Sequence, residues 1–119
     1  MTKFVKSFRH ALDGIRHAAK TERNFRIELV STFIALALSF LLPLSGTELA
    51  IVFLTIGVIL SLELLNTAFE HLMDMLSPQF HAKVKIIKDL AAGAVLLGSV
   101  SAAIVGVLVF LPHLIEFFF

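Results

Sequence analysis

The sequence predicts an all-α integral membrane protein, with an N-terminal amphipathic surface helix followed by three transmembrane helices. Three observations carry that prediction. Hydrophobic residues fill 58% of the 119 positions and the mean hydropathy is +0.94, well above the roughly 45–50% apolar usage of soluble domains. The apolar residues gather into three long runs separated by short polar breaks. All ten Lys and Arg fall within residues 3–26 or 83–88, a distribution that a membrane orders and a soluble fold does not. One membrane domain over residues 1–119 accounts for the length.

Residues 1–20 form the surface helix. Phe4, Phe8, Leu12, Ile15 and Ala19 recur every three or four positions, with Val5, Ala11 and Ala18 widening the stripe. Lys3, Lys6, Arg9, Arg16 and Lys20 surround it, and a basic amphipathic helix of this kind lies on an anionic bilayer. A helix packed inside a soluble protein is the alternative, and the apolar remainder of the chain argues against it. A cleaved leader does not fit, because the positive segment is long and the apolar run begins only near Leu29. Thr21 is placed to cap the next helix at its start.

The first span covers residues 27–44. Its sixteen mostly apolar residues from Leu29 to Leu44 give roughly 24 Å of helix, and Ile27 with the flank of Glu28 extends it toward a ~30 Å hydrocarbon core. Pro43 and Ser45-Gly46-Thr47 turn the chain. The second span covers 48–75 and ends at Ser77-Pro78. Residues 79–88 read as a short polar loop holding His81, Lys83, Lys85 and Lys88. The third span covers 89–114, and residues 90–114 contain no Asp, Glu, Lys or Arg. Ala94, Gly98, Ala102 and Gly106 recur every four residues along it, a small-residue ridge suited to close helix packing.

The cations set the orientation. The N-terminus and the 77–88 loop belong in the cytoplasm and the C-terminus outside, as expected of a multi-pass protein of the bacterial cytoplasmic membrane. The net charge of +1 gives no reason to invoke nucleic acid. The chain has no Cys, so disulfides and thiolate metal sites are excluded. It also has no Trp or Tyr but twelve Phe, so the usual interfacial aromatic belt is missing.

Function is most legible where the second span nears the cytoplasm, in Glu63-Leu-Leu-Asn-Thr-Ala-Phe-Glu-His-Leu-Met-Asp74. Glu63, Asn66, Glu70 and Asp74 lie at i, i+3, i+7 and i+11, on one helix face. Three carboxylates and an amide entering an apolar helix are costly unless they bind something. Magnesium with a phosphate suits them. The Thr21–Glu28 threshold and Lys88-Asp89 reach the same interfacial layer, where a nucleotide and a lipid hydroxyl can meet.

These residues resemble the signature of the small prokaryotic diacylglycerol kinase family. Thr21-Glu22-Arg23-Asn24-Phe25-Arg26 and Lys88-Asp89-Leu-Ala-Ala-Gly-Ala-Val95 are similar to its other two blocks, and the likeness runs almost the whole chain without gaps. Both blocks look closer to the undecaprenol kinase branch than to the diacylglycerol-specific one. The resemblance implies an ATP-dependent lipid kinase acting as a homotrimer with sites between subunits. It also implies Mg²⁺ held by Glu22 and Glu70, and Glu63 as the base that takes the lipid alcohol's proton. That role demands a desolvated carboxylate, since an ordinary one is a feeble base toward an alcohol.

By the same resemblance ATP is bound by His10, Glu22, Asn66, Glu70, Asp74, His81, Lys88 and Asp89, while Phe25, Arg26, Glu28 and Glu63 face the lipid substrate. Lys3 lies with His10 on the surface helix. Each has a plainer reading. Glu63 would be a buried acid paired for structure, Glu22 a helix-start acid, Lys88 a headgroup anchor and His81 a solvated loop residue. Asn66 is placed either to fix Glu63 one turn away or to meet phosphate, and Asp74 and Asp89 either to place the nucleotide or to pair with Lys88 and Arg26.

Departures from the diacylglycerol branch occur at Gln79 and Phe80, where it has an acid and a tyrosine, and at Ala92, where it has a hydroxyl residue. Neither a Walker A loop nor a protein-kinase Gly-rich loop is present. The expected reaction is transfer of the ATP γ-phosphate to a membrane alcohol, undecaprenol first and diacylglycerol second. A small ion-conducting oligomer and a purely structural scaffold are the non-enzymatic alternatives.

Overall fold

The computed structural model describes residues 2–119 as four helices: α1 Lys3–Thr21, α2 Arg23–Leu41, α3 Gly46–Leu76 and α4 Ala82–Phe118. The Thr2 hydroxyl starts α1 by accepting from the Val5 N–H at 3.3 Å. A single extended residue, Glu22, with φ −106° and ψ 114°, separates α1 from α2. The expected role of Thr21 as a helix-start cap is not seen. Its hydroxyl instead donates back to the His17 carbonyl at 2.8 Å, inside the last turn of α1.

The elbow around Glu22 is firmly built. The Arg26 guanidinium donates to the Lys20 carbonyl at 3.0 Å and the Ala19 carbonyl at 3.4 Å, satisfying C-terminal groups of α1 that lack helical partners. Ala18 and Phe25 are buried at the joint, with 2% and 1% of their surface exposed.

Helix α2 stops at Leu41 because Pro43 holds the preceding Leu42 in an extended conformation, φ −101° and ψ 150°. Ser45 and Glu48 then form a reciprocal capping box that starts α3. At 31 residues, α3 is roughly 46 Å long, more than a ~30 Å hydrocarbon core requires. Its C-terminal half carries the acidic stripe.

The loop expected over residues 79–88 is shorter than that, since α4 begins at Ala82. The His81 ring caps it, accepting from the Lys83 N–H at 3.1 Å. Lys85 and Asp89, four residues apart, pair at 2.5 Å along the first turns. The polar residues that suggested a loop are the solvated start of a helix whose apolar body follows. Helix α4 also continues to Phe118, carrying Pro112 within it.

Helices α3 and α4 pack most extensively, with α2 laid against α3 and α1 touching both α2 and α3. Gly98 is a point of close contact between α4 and α3. A Cβ there would stand 2.7 Å from Leu62 Cδ1 and 3.1 Å from Ile59 Cδ1. A buried cluster of Leu42, Val52, Val109 and Phe110 closes the end remote from the acids. His113 Nε2 meets the Glu48 carboxylate there at 3.0 and 3.2 Å.

All three of α2, α3 and α4 are long and apolar enough to cross a membrane. Phe33, Leu54 and Leu97, one on each, are about 70% exposed (69%, 70% and 72%). Such broad apolar exteriors belong against lipid or another apolar surface. The protein is a multi-pass membrane protein.

Candidate functional site

Helix α3 buries the start of its stripe and leaves Asp74, at the other end, exposed. Glu63, Asn66 and Thr67 are buried, with Glu63 only 2% exposed. The carboxylates of Glu22, from the elbow, and Glu70, two turns along α3, lie near enough to Glu63 to act on it electrostatically. Glu63 in turn acts on Glu28 of α2. Acids from the elbow, α2 and α3 thus share one region of the molecule.

Hydrogen bonding sorts these groups. Asn66 does not fix Glu63. Its Nδ2 donates to Glu70 Oε1 at 3.3 Å, since Glu70 lies four residues along the same helix face. The buried oxygens Glu63 Oε2, Asn66 Oδ1, Thr67 Oγ1 and Glu28 Oε2 have no partner. Buried polar atoms are normally satisfied, so this concentration of unpaired acceptors is a place where donors or cations belong.

Three cavities lie nearby, one lined by Glu28 and one by Asp74 and Asp89. One of about 360 Å³ lies at the α3–α4 turn and is lined by Asp74, Gln79, His81, Lys85, Lys88 and Asp89. Lys88 Nζ sits 2.5 Å from Asp74 Oδ1 across it. The second, about 480 Å³, lies between α1 and α3 and is lined by His10, His17, Thr67 and His71. The third, about 340 Å³, lies among α2, α3 and α4, with Glu28 at its polar edge and Ser31, Thr55, Ala102 and Gly106 along it.

The expected nucleotide residues therefore divide. Asp74, His81, Lys88 and Asp89 share the turn cavity, and His10 stands apart in the α1–α3 cavity. Asp89 pairs with Lys85 of its own helix, and Arg26 is spent on α1 carbonyls rather than on an acid. Of the residues expected on the lipid side, Phe25 is packed inside the elbow, while Glu28 keeps a free oxygen.

A sequence model described as prokaryotic diacylglycerol kinase matches residues 9–110, a stretch that includes the elbow, the acidic stripe and Lys88-Asp89. The chain belongs to the prokaryotic diacylglycerol kinase family. It is similar to an undecaprenol kinase of Bacillus subtilis, 46% identical over 96% of this chain and 93% of that protein. A diacylglycerol kinase of Synechocystis is 43% identical over 92% of this chain and 63% of that protein. The diacylglycerol kinase of Escherichia coli K12 is 24% identical over 94% of this chain and 92% of that protein.

Membership of this lipid kinase family removes the channel and scaffold alternatives and implies use of ATP. Among the described residues, no group of three or more His, Asp or Glu side chains is arranged to hold a metal. The donor set nonetheless suits magnesium, which takes one or two carboxylates and completes its octahedron with phosphate oxygens and water. Glu22 and Glu70 are the two carboxylates that would hold it.

Two histidines near the elbow were not singled out from the sequence. His17 and His71 meet edge to face, ring centroids 5.6 Å apart, and His71 Nε2 lies 3.8 Å from Glu22 Oε1. The available signal was slight. His10 and His17 are seven residues apart on one helix face, and His71 adjoins Glu70, but nothing in the sequence brings the rings of His17 and His71 together.

Proposed function

We propose that this lipid kinase transfers the γ-phosphate of ATP to the hydroxyl of undecaprenol, with Glu63 as the base. The observation that carries the reading is a carboxylate 2% exposed, with one oxygen unpartnered, among acids drawn from two helices and an elbow. With that oxygen shielded and unpartnered, a substrate hydroxyl that reaches it meets an unoccupied proton acceptor.

Glu63 removes the alcohol proton as the alcohol oxygen bonds to the γ-phosphorus. The bond from that phosphorus to the bridging oxygen breaks, and ADP leaves. Magnesium bound by Glu22 and Glu70 would supply charge neutralisation for the transferring group. Asn66 orients Glu70. Asp74, His81, Lys88 and Asp89 receive the nucleotide in the turn cavity, with Lys88 as a point charge toward phosphate. His10 contacts the nucleotide from α1. Glu28 meets the lipid headgroup, while Phe25 and Arg26 shape that side by fixing the elbow.

The chain acts as one membrane domain. Helix α1 lies on the cytoplasmic surface, the elbow and the α3–α4 turn face the cytoplasm, and the C-terminus is outside. Three copies form the working unit, which would cover the exposed apolar flanks. Diacylglycerol is the second reading for the acceptor, favoured by the Synechocystis relative's name and similar identity.

Purified protein in detergent, given Mg²⁺, ATP and each lipid separately, tests both readings by mass spectrometry of the phosphorylated lipid. Undecaprenyl phosphate and ADP should form in equal amounts. Glu63→Gln should cut turnover by about 10²–10⁴-fold while nucleotide binding survives. Faster turnover of diacylglycerol would move the acceptor to the second reading. A Glu63→Gln protein that turns over normally would remove Glu63 as the base.

A further inference from the structure

We propose that His71 is a positioning residue for Glu22, selecting the side-chain direction that brings this carboxylate to α3. The inference rests on the reading that Glu22 and Glu70 share a divalent cation with ATP phosphates.

The backbone of Glu22 is fixed and its side chain is not. Arg26, Ala18 and Phe25 lock the elbow, yet the Glu22 side chain makes no capping hydrogen bond at the start of α2. A long side chain with several free torsions loses entropy when confined to one direction. Something on α3 must favour that direction if Glu22 is to face Glu70 in advance of the ligand.

His71 is placed to do so. It follows Glu70 in the chain, about 100° around the helix, and so looks toward the elbow while Glu70 stays in the stripe. Its Nε2 is 3.8 Å from Glu22 Oε1, a guiding approach longer than a formed hydrogen bond. The His17 ring, inclined at 73°, bears on the His71 ring from α1. Each proposed ligand then has one nitrogen partner on α3, Asn66 for Glu70 and His71 for Glu22. Partners of this kind orient ligands and commonly change metal affinity by about 10–100-fold.

The His71 side chain is 54% exposed, and exposed ion pairs add little to folding. Its loss should therefore register at the cation rather than in stability. The test compares full-length wild type, His71→Gln, His71→Phe, Glu22→Gln and Glu70→Gln in detergent with a non-hydrolysable ATP analogue. Mn²⁺ binding is read from the electron paramagnetic resonance signal of free Mn²⁺, and melting temperature is read without metal. His71→Phe, which keeps the ring contact but has no N–H, should weaken Mn²⁺ binding about tenfold. His71→Gln, which keeps a donor, should stay within about threefold of wild type.

Equal weakening in the Gln and Phe variants overturns the proposal. So does wild-type binding in His71→Phe alongside weakened binding in the two Glu variants. A metal-free melting temperature lowered by more than about 5 °C in His71→Phe makes the role structural and also overturns it. Wild-type binding in both Glu22→Gln and Glu70→Gln overturns the shared-cation reading itself, a result separable from the others.

Discussion

The Asn66 carboxamide binds Glu70, one turn toward the α3 C-terminus, through an Nδ2–Oε1 contact of 3.3 Å, and leaves Glu63 Oε2 unpartnered. The amide thus confines the carboxylate proposed to hold the cation, and the proposed base stays free to take a proton. Asn66→Ala should therefore raise the KM for Mg·ATP about tenfold, within the range for partners of metal ligands. Asn66→Asp should be worse, because a second carboxylate beside Glu70 repels it and offers no N–H. Initial rates at varied Mg·ATP check both, and an unchanged KM in Asn66→Ala would separate Asn66 from the cation.

Lys88 and Asp74 join α4 to α3 at 2.5 Å, but their side chains are 36% and 65% exposed. A pair so open to water contributes about 0–1 kcal/mol, so Lys88→Ala should leave the melting temperature within a few degrees of wild type. The proposed phosphate contact predicts a different loss, a KM for ATP raised several-fold and a wild-type KM whose salt dependence is steeper than the mutant's. Kinetics at two ionic strengths, with a melting curve on the same samples, distinguish an anchor from a nucleotide contact.

The helices were legible because long apolar runs bounded by Pro43 and Pro78 leave few alternatives. The acidic stripe was legible because a period of 3.6 residues places Glu63, Asn66, Glu70 and Asp74 together whatever surrounds them. The elbow was not. Nothing local shows that Thr21 bonds backward to His17 or that Arg26 turns back to the α1 carbonyls. The start of α4 was misread because polarity marks solvent, not irregular backbone. His17 and His71 gain meaning only from the packing of α1 on α3, a contact between segments far apart in the chain.

At the far end, His113 Nε2 meets Glu48 at 3.0 and 3.2 Å, tying the last turns of α4 to the capping box of α3. The pair is partly buried, at 17% and 29% exposure. Truncating His113 removes one partner of this hydrogen bond and leaves the end of α4 untied from α3. His113→Ala should therefore lower the unfolding midpoint in detergent while leaving Mg·ATP kinetics near wild type, since the acids lie toward the opposite end of α3. A catalytic defect in a stably folded His113→Ala protein would contradict that separation.

Gly98 and Gly106 belong to one small-residue ridge, yet the structure assigns them different neighbours. A Cβ at Gly98 would stand 2.7 Å from Leu62 Cδ1 and 3.1 Å from Ile59 Cδ1, and one at Gly106 would meet nothing within 4 Å. Both atoms near Gly98 are the far ends of flexible side chains, so Gly98→Ala can be absorbed by a rotation of Leu62, which adjoins Glu63. Gly98→Val adds bulk that this rotation does not absorb and should cost about 1–3 kcal/mol through overpacking. It should also lower kcat, because pressing on Leu62 moves the neighbouring carboxylate. Gly106→Ala should change neither quantity when the two substitutions are compared by unfolding midpoint and initial rate. Loss of activity in Gly106→Ala without loss of stability would instead mean that the groove beside Gly106 and Ala102, rather than the Gly98 contact, carries the functional part of the ridge.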